Sequence, residues 1–184
     1  MTTHQGTRDT GAAPVHLVVM GVSGNGKTTI GEALQEQLGW AFAEGDAFHP
    51  QANIDKMSSG TPLDDDDRWP WLRSLAAWVA EHEARGESTI MACSAVKRSY
   101  RDLLREGGEG MQFVHLVGDP EVILDRMAHR EHFMKPAMLQ SQLDTLEPLE
   151  LDEPGRTFDL AQPPEEIVRE VLTELGLDAQ TSSS

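Results

Sequence analysis

Eight consecutive residues, Gly21-Val22-Ser23-Gly24-Asn25-Gly26-Lys27-Thr28, satisfy the phosphate-binding pattern G-x-x-x-x-G-K-[ST] at every fixed position. The chemistry needs these residue types. Glycines without Cβ atoms let the backbone turn tightly and aim several N–H groups at one point. A helix starting there brings the positive end of its dipole to the same place, which suits a polyphosphate. Lys27 can then reach the β- and γ-phosphates, and the Thr28 hydroxyl can hold Mg²⁺. We therefore assign Gly21, Val22, Ser23, Gly24, Asn25, Gly26, Lys27, Thr28 and Thr29 to ATP, and Thr28 also to the metal.

The pattern carries meaning only between a strand and a helix, and both are present in the sequence. Residues 15–20, VHLVVM, have the length and branched composition of a buried strand. Beyond the loop, Ile30, Ala33, Leu34 and Leu38 recur at helical spacing, and Gly39 closes the run.

Composition narrows the alternatives. A chain of 184 residues with 39% apolar content is one domain of ordinary size, with core enough to fold alone. No apolar run approaches the ~20 residues of a membrane span. The first 14 residues lack an apolar signal region, and the single cysteine, Cys93, cannot form an internal disulfide. These features predict a cytoplasmic protein. The net charge of −16 argues against a nucleic-acid partner, which needs a basic face. A site for ATP and an anionic substrate must then be a local positive island. Only four lysines are available, Lys27, Lys56, Lys97 and Lys135, and each falls in a segment singled out on other grounds.

Read in order, residues 1–13 form a disordered arm and 178–184 a disordered tail, leaving one domain over 14–177. Further strands are predicted at 40–44, 88–93, 112–117 and 156–160. Helices are predicted at 53–59, from the Asp64-Asp65-Asp66-Asp67 run to about 85, then 96–105, 120–130, 137–146 and 164–175. The aspartate run suits a helix N-terminus, where negative charge meets the dipole. Residues 131–136 read as irregular. Strands alternating with helices give an α/β fold of three α/β/α layers, a parallel sheet with ligands at the strands' carboxyl ends.

Downstream of the loop, residues 45–72 (GDAFHPQANIDKMSSGTPLDDDDRWPWL), 93–105 (CSAVKRSYRDLLR) and 132–148 (HFMKPAMLQSQLDTLEP) together resemble the gluconokinase family of small P-loop kinases. The resemblance covers residues 15–148. It implies phosphorylation of D-gluconate by ATP, with 6-phosphogluconate and ADP as products. It also implies an adenylate- and shikimate-kinase-like five-stranded P-loop fold with a moving lid, about 129–148, and a homodimer.

The roles it implies fall on particular residues. Asp46, just past the second strand, would accept the proton of the attacking hydroxyl; its bland alternative is a turn cap. His49 and Lys56 would offer a hydrogen bond and a charge to the polyol acid. Arg68 would grip the carboxylate with its fork. Ser94 would touch substrate from the end of the third strand. Lys97, Tyr100 and Arg101 can share one side of the next helix, either facing the cleft or forming an ordinary basic surface. Arg126 and Arg130, one turn apart, would meet charge on the transferring phosphoryl group. Gln142 and His132 receive no role, and the loop 159–164 is assigned to adenine by architecture alone.

Other features are assigned to structure. Asp67 is expected to cap, or to orient Arg68; Trp69 and Trp71 to pack; Asp119 to cap a helix before Pro120 rather than hold metal. His16, His115 and Cys93 are expected in or beside the core. Two readings compete with the gluconate kinase: a P-loop kinase acting on shikimate, a nucleoside or another polyol acid, and a nucleotide-sensing protein that transfers nothing.

Overall fold

The computed structural model describes residues 13–22, 26–128 and 136–178. Five strands, β1 (His16–Met20), β2 (Ala41–Glu44), β3 (Thr89–Ala92), β4 (Met111–Val117) and β5 (Gly155–Asp159), form one sheet. All pairings are parallel, in the order β2-β3-β1-β4-β5. Seven helices connect and cover them among the described residues: α1 (Lys27–Leu38), α2 (Gln51–Ser58), α3 (Asp65–Ala84), α4 (Arg98–Arg105), α5 (Pro120–Ala128), α6 (Pro136–Thr145) and α7 (Pro164–Glu174). A parallel strand cannot return by a hairpin, so each neighbour is reached through a helical crossover.

The alternation in β1 shows how the layers form. Leu17 and Val19 face a core built with Ile30 and Leu34 of α1, Ile123 of α5, and Ile167 and Val171 of α7. Val18 and Met20 face the opposite core, built with Trp71, Leu72, Leu75 and Val79 of α3 and Tyr100 and Leu104 of α4. Both faces of the sheet are therefore covered, as a parallel sheet requires. This is the three-layer P-loop kinase fold that the sequence predicts.

Several boundaries differ for physical reasons. The Gly45–Phe48 stretch, expected as a plain turn, is a 3₁₀ helix, and α2 starts directly after Pro50. The helix expected from residue 96 starts at Arg98, because Ala95 takes φ +32° and Val96 is buried. The aspartate run is a full capping box: Asp64 accepts from the Asp67 N–H, and Asp67 accepts in return from the Asp64 N–H. Within the expected lid, about 129–148, the Glu147 N–H donates to the Val96 carbonyl at 2.7 Å. Residues 129–135, the first part of that expected lid, lie outside the described residues, as do the arm to residue 12 and the tail from 179.

Two histidines in the core differ in satisfaction. His16 reaches Thr89 Oγ1 at 2.7 Å and Glu83 Oε2 at 2.6 Å. His115 is 2% exposed, and its Nε2 has no hydrogen-bond partner among the described residues. Burial, reinforced by the nearby Arg101 charge, lowers the His115 pKa to about 4. The unfolded chain takes up this proton near pH 6.5 and the folded chain only near 4. Stability contributed by the neutral ring is therefore complete above about pH 6.5 and falls as pH drops toward about 4, by at most about 3 kcal/mol. We expect His115→Leu to flatten that part of the stability curve. Urea midpoints of both proteins at about pH 7 and about pH 4.5 check it; parallel curves would refute the assignment.

Candidate active site

The donor side forms where β1 passes into α1. Gly26 sits at φ +83°, a conformation that favours glycine, and caps α1 without any side chain. No acidic residue occupies the first turn of α1, so its N-terminal N–H groups face outward for an anion. Lys27 donates to the Val22 carbonyl at 3.0 Å, folding back across the loop. Ser23, Gly24 and Asn25 lie outside the described residues. Thr28 and Thr29 are exposed on the first turn, and the Thr28 hydroxyl donates to Glu44 Oε2.

Glu44, the last residue of β2, was not singled out in the sequence. Burial raises its carboxyl pKa above the usual range, and Asp46 adds to this against the Thr28 hydroxyl and Lys27. One carboxylate thus meets a threonine hydroxyl at a helix N-terminus, with Asp46 near enough to act on its charge. That oxygen-rich donor set fits a hard cation such as Mg²⁺. No group of three His, Cys, Asp or Glu side chains with metal-holding geometry occurs among the described residues. A cation here would therefore take further ligands from phosphate and water.

The acceptor side opens from the same point. Lys27, Asp46, His49, Arg68 and Ser94 line one cavity of about 130 Å³, with Met57, Pro62 and Leu63 as its apolar wall and Ser141 and Gln142 contributed by α6. Each comes from a carboxyl end in the sheet or from the helices above it. Asp46 follows β2, and its side chain is 78% exposed. Ser94 follows β3. His49 is stacked on Trp71, ring centroids 4.2 Å apart at 16°, and its Nε2 lies 3.9 Å from Asp46 Oδ1. Arg68 donates to the Leu63 carbonyl and lies over the Tyr100 ring at 5.5 Å, with no carboxylate in ion-pairing range among the described residues. In an acidic protein that leaves a guanidinium available to an anion.

Three expected substrate residues are placed elsewhere. Lys56 is held by Asp67 Oδ2 at 2.6 Å and Asp64 Oδ2 at 3.6 Å, bracing the start of α3. Lys97 pairs with Asp65 at 2.9 Å, and the Tyr100 hydroxyl donates to the same carboxylate. Arg101 turns away from both and is fully buried. It holds Glu153 with two bonds, 2.6 and 3.0 Å, and donates to the Ala95 and Pro148 carbonyls. Burial alone would push the Glu153 carboxyl up; the Arg101 guanidinium and the Glu150 N–H outweigh it and hold it low. The side chain of Arg126, and Arg130 and His132 entirely, lie outside the described residues.

The remaining structural expectations are met in particular ways. Asp67 serves the capping box and Lys56 rather than Arg68. Trp71 is buried and donates to the Gly45 carbonyl at 2.8 Å; Trp69 meets Tyr100 edge-on. Asp119 caps α5, accepting from the Glu121 N–H. Cys93 is buried and its thiol is pushed up to about 12, which leaves it inert. Asp159 Oδ1 accepts from the Ala161 N–H, folding the 159–164 loop at the end of β5.

A family described as an AAA domain matches residues 17–149. A gluconokinase from Gluconobacter oxydans (strain 621H) is 44% identical over 173 residues, 94% of this chain and 96% of that protein. A solved gluconokinase from Sinorhizobium meliloti 1021 is 51% identical, with TM-score 0.79 over 89% of this chain and 93% of that one. An unliganded sugar kinase from Janibacter sp. HTCC2649 is 53% identical, with TM-score 0.87 over 92% and 99%.

The relocation of Arg101 is directly testable. Arg101→Met leaves the buried Glu153 carboxylate with only Arg98, 3.7 Å away, and the Glu150 N–H, and should cost up to about 3–5 kcal/mol. Adding Glu153→Leu removes that charge and should recover most of the loss. Denaturant unfolding of the two single variants and the double variant measures the coupling; additive losses would contradict a buried pair.

Proposed function

This chain belongs to the gluconokinase family, and from that membership we propose that it transfers the γ-phosphoryl group of ATP to the C6 hydroxyl of D-gluconate, giving 6-phospho-D-gluconate and ADP. The observation that carries the reading is the shared cavity of Lys27, Asp46, His49, Arg68 and Ser94. It sets one exposed carboxylate, and one guanidinium with no carboxylate in ion-pairing range among the described residues, in one cavity with Lys27, as a hydroxy acid receiving a phosphoryl group requires.

In this reading the α1 N-terminus and Lys27 hold the phosphates, and Thr28, with Glu44 behind it, would hold Mg²⁺. The ion, when bound, neutralises charge on the β- and γ-phosphates. Arg68 takes the gluconate carboxylate through its two-pronged donor face, while His49 and Ser94 bond sugar oxygens. Asp46 accepts the C6 hydroxyl proton as that oxygen bonds to the γ-phosphorus. The bond from that phosphorus to the bridging oxygen breaks, and its electron pair leaves with ADP. Lys27, Arg126 and Arg130 stabilise charge on the transferring group. The same reading makes the enzyme a cytoplasmic homodimer.

A coupled ADP-release assay tests the proposal, comparing gluconate with shikimate, glucose, nucleosides and no acceptor. We expect ADP release that depends on gluconate, with 6-phosphogluconate identified as product. Asp46→Asn should lower kcat about a hundredfold or more while ATP affinity stays nearly unchanged. Turnover indifferent to every acceptor, in a protein shown to be folded, would point instead to a nucleotide sensor.

A further inference from the structure

The sequence motif that carries His49 also carries Asn53, four residues on, for which nothing above gives a role. Asn53 is 4% exposed, so its amide must be satisfied inside the protein. Its Nδ2 lies 2.8 Å from the Asp67 carbonyl oxygen, which can only accept, so that atom is the amide nitrogen and donates. The same Nδ2 lies 3.2 Å from His49 Nδ1. The amide has a second hydrogen to give, and Nδ1 can receive it only with its lone pair free.

The charge state of the ring completes the argument. Burial lowers the His49 pKa below its ordinary 6.5; Arg68 adds to this and Asp46 opposes it. At neutral pH the ring is uncharged, and with Nδ1 accepting, its one proton lies on Nε2. Stacking on Trp71 fixes the ring plane, and Nε2 is the nitrogen on the Asp46 side of the cavity.

We propose that Asn53 is a positioning residue that locks His49 as the Nε2–H tautomer, making His49 a hydrogen-bond donor to an acceptor oxygen of the sugar acid and leaving Asp46 as the base. The consequence reaches further than one ring. The Asp67 carbonyl that Asn53 also holds belongs to the residue preceding Arg68. One buried amide thus sets the His49 donor and the Arg68 guanidinium at a fixed offset, matching a substrate that offers a hydroxyl oxygen and a carboxylate. The substrate half of this inference rests on the kinase reading above; the tautomer half does not.

The experiment separates the two. Protein labelled with ¹⁵N-histidine is examined by long-range ¹H–¹⁵N correlation, with His49 assigned by its loss in His49→Gln. The wild type should show a neutral Nε2–H ring at about pH 7, whatever the acceptor substrate proves to be. Asn53→Asp puts an acceptor opposite Nδ1 and should move a proton onto that nitrogen, whereas Asn53→Leu should leave a mixture of tautomers. In steady-state assays both variants should raise the KM for gluconate about tenfold, with the KM for ATP changed far less. A wild-type ring protonated on Nδ1, or charged at neutral pH, overturns the proposal even if both Asn53 variants misfold. Equal rises in both KM values would refute the positioning role. An absence of gluconate turnover in the wild type would refute the kinase reading and leave the tautomer assignment to the spectrum.

Discussion

At Gly45 the backbone leaving β2 lies so close to the end of β3 that a Cβ would stand 2.5 Å from the Ala92 carbonyl oxygen. Only glycine permits that approach. The Trp71 indole fixes it from the other side by donating to the Gly45 carbonyl, and the Trp71 ring is also the surface on which His49 stacks. Asp46 follows at once, beside Ser94 at the end of β3. A side chain at 45 would part the two strand ends and carry Asp46 and His49 away from the phosphate loop. The acceptor half of the cavity is therefore set by one backbone contact and one buried indole.

The loop after β3 has a comparable support. Ala95 sits at φ +32°, a region disfavoured for any residue with a Cβ, and strain of that kind persists only when neighbours over-determine it. Arg101 does this by holding the Ala95 carbonyl at 2.9 Å, while its remaining donors bind Glu153 and the Pro148 carbonyl. The Ser94 loop is thereby joined to the segment that follows α6, the helix that brings Ser141 and Gln142 to the cavity. A residue expected to touch substrate instead holds in place the loop that carries Ser94.

Legibility in the sequence tracks the range of the interactions. The phosphate loop, the capping box at Asp64 and the alternation of β1 are local patterns, and each could be read directly, as could the parallel layered fold. Asp46, His49, Arg68 and Ser94 were named through a family motif, and the fold brings them to one cavity with Lys27. Glu44 had a local signal, two residues before Asp46 at a strand's end, that went unused. The fates of Lys56, Lys97 and Arg101 had none. Lys97 meets Asp65 across 32 positions and Arg101 meets Glu153 across 52, and no spacing rule links them. Helical spacing placed Lys97, Tyr100 and Arg101 on one face, but tertiary partners sent Arg101 into the core and the other two to a shared carboxylate.

The same pairings resolve how a chain of net charge −16 can bind anions. Exposed charges are screened over about 8 Å at physiological salt, so the distant acidic surface exerts little force inside the cleft. What counts is charge within a few ångströms, where a single pair interacts by about 4 kcal/mol at an effective dielectric of 20. Lys56, Lys97, Arg98 and Arg101 are already committed to aspartate and glutamate partners and add little there. Lys27 and Arg68 line the cavity, beside the N-terminus of α1. These donors stand beside the carboxylates of Asp46 and Glu44, and His49 adds a ring nitrogen to the lining. Attraction of anions is thus set by the few charges that line the cleft rather than by the acidic surface around it.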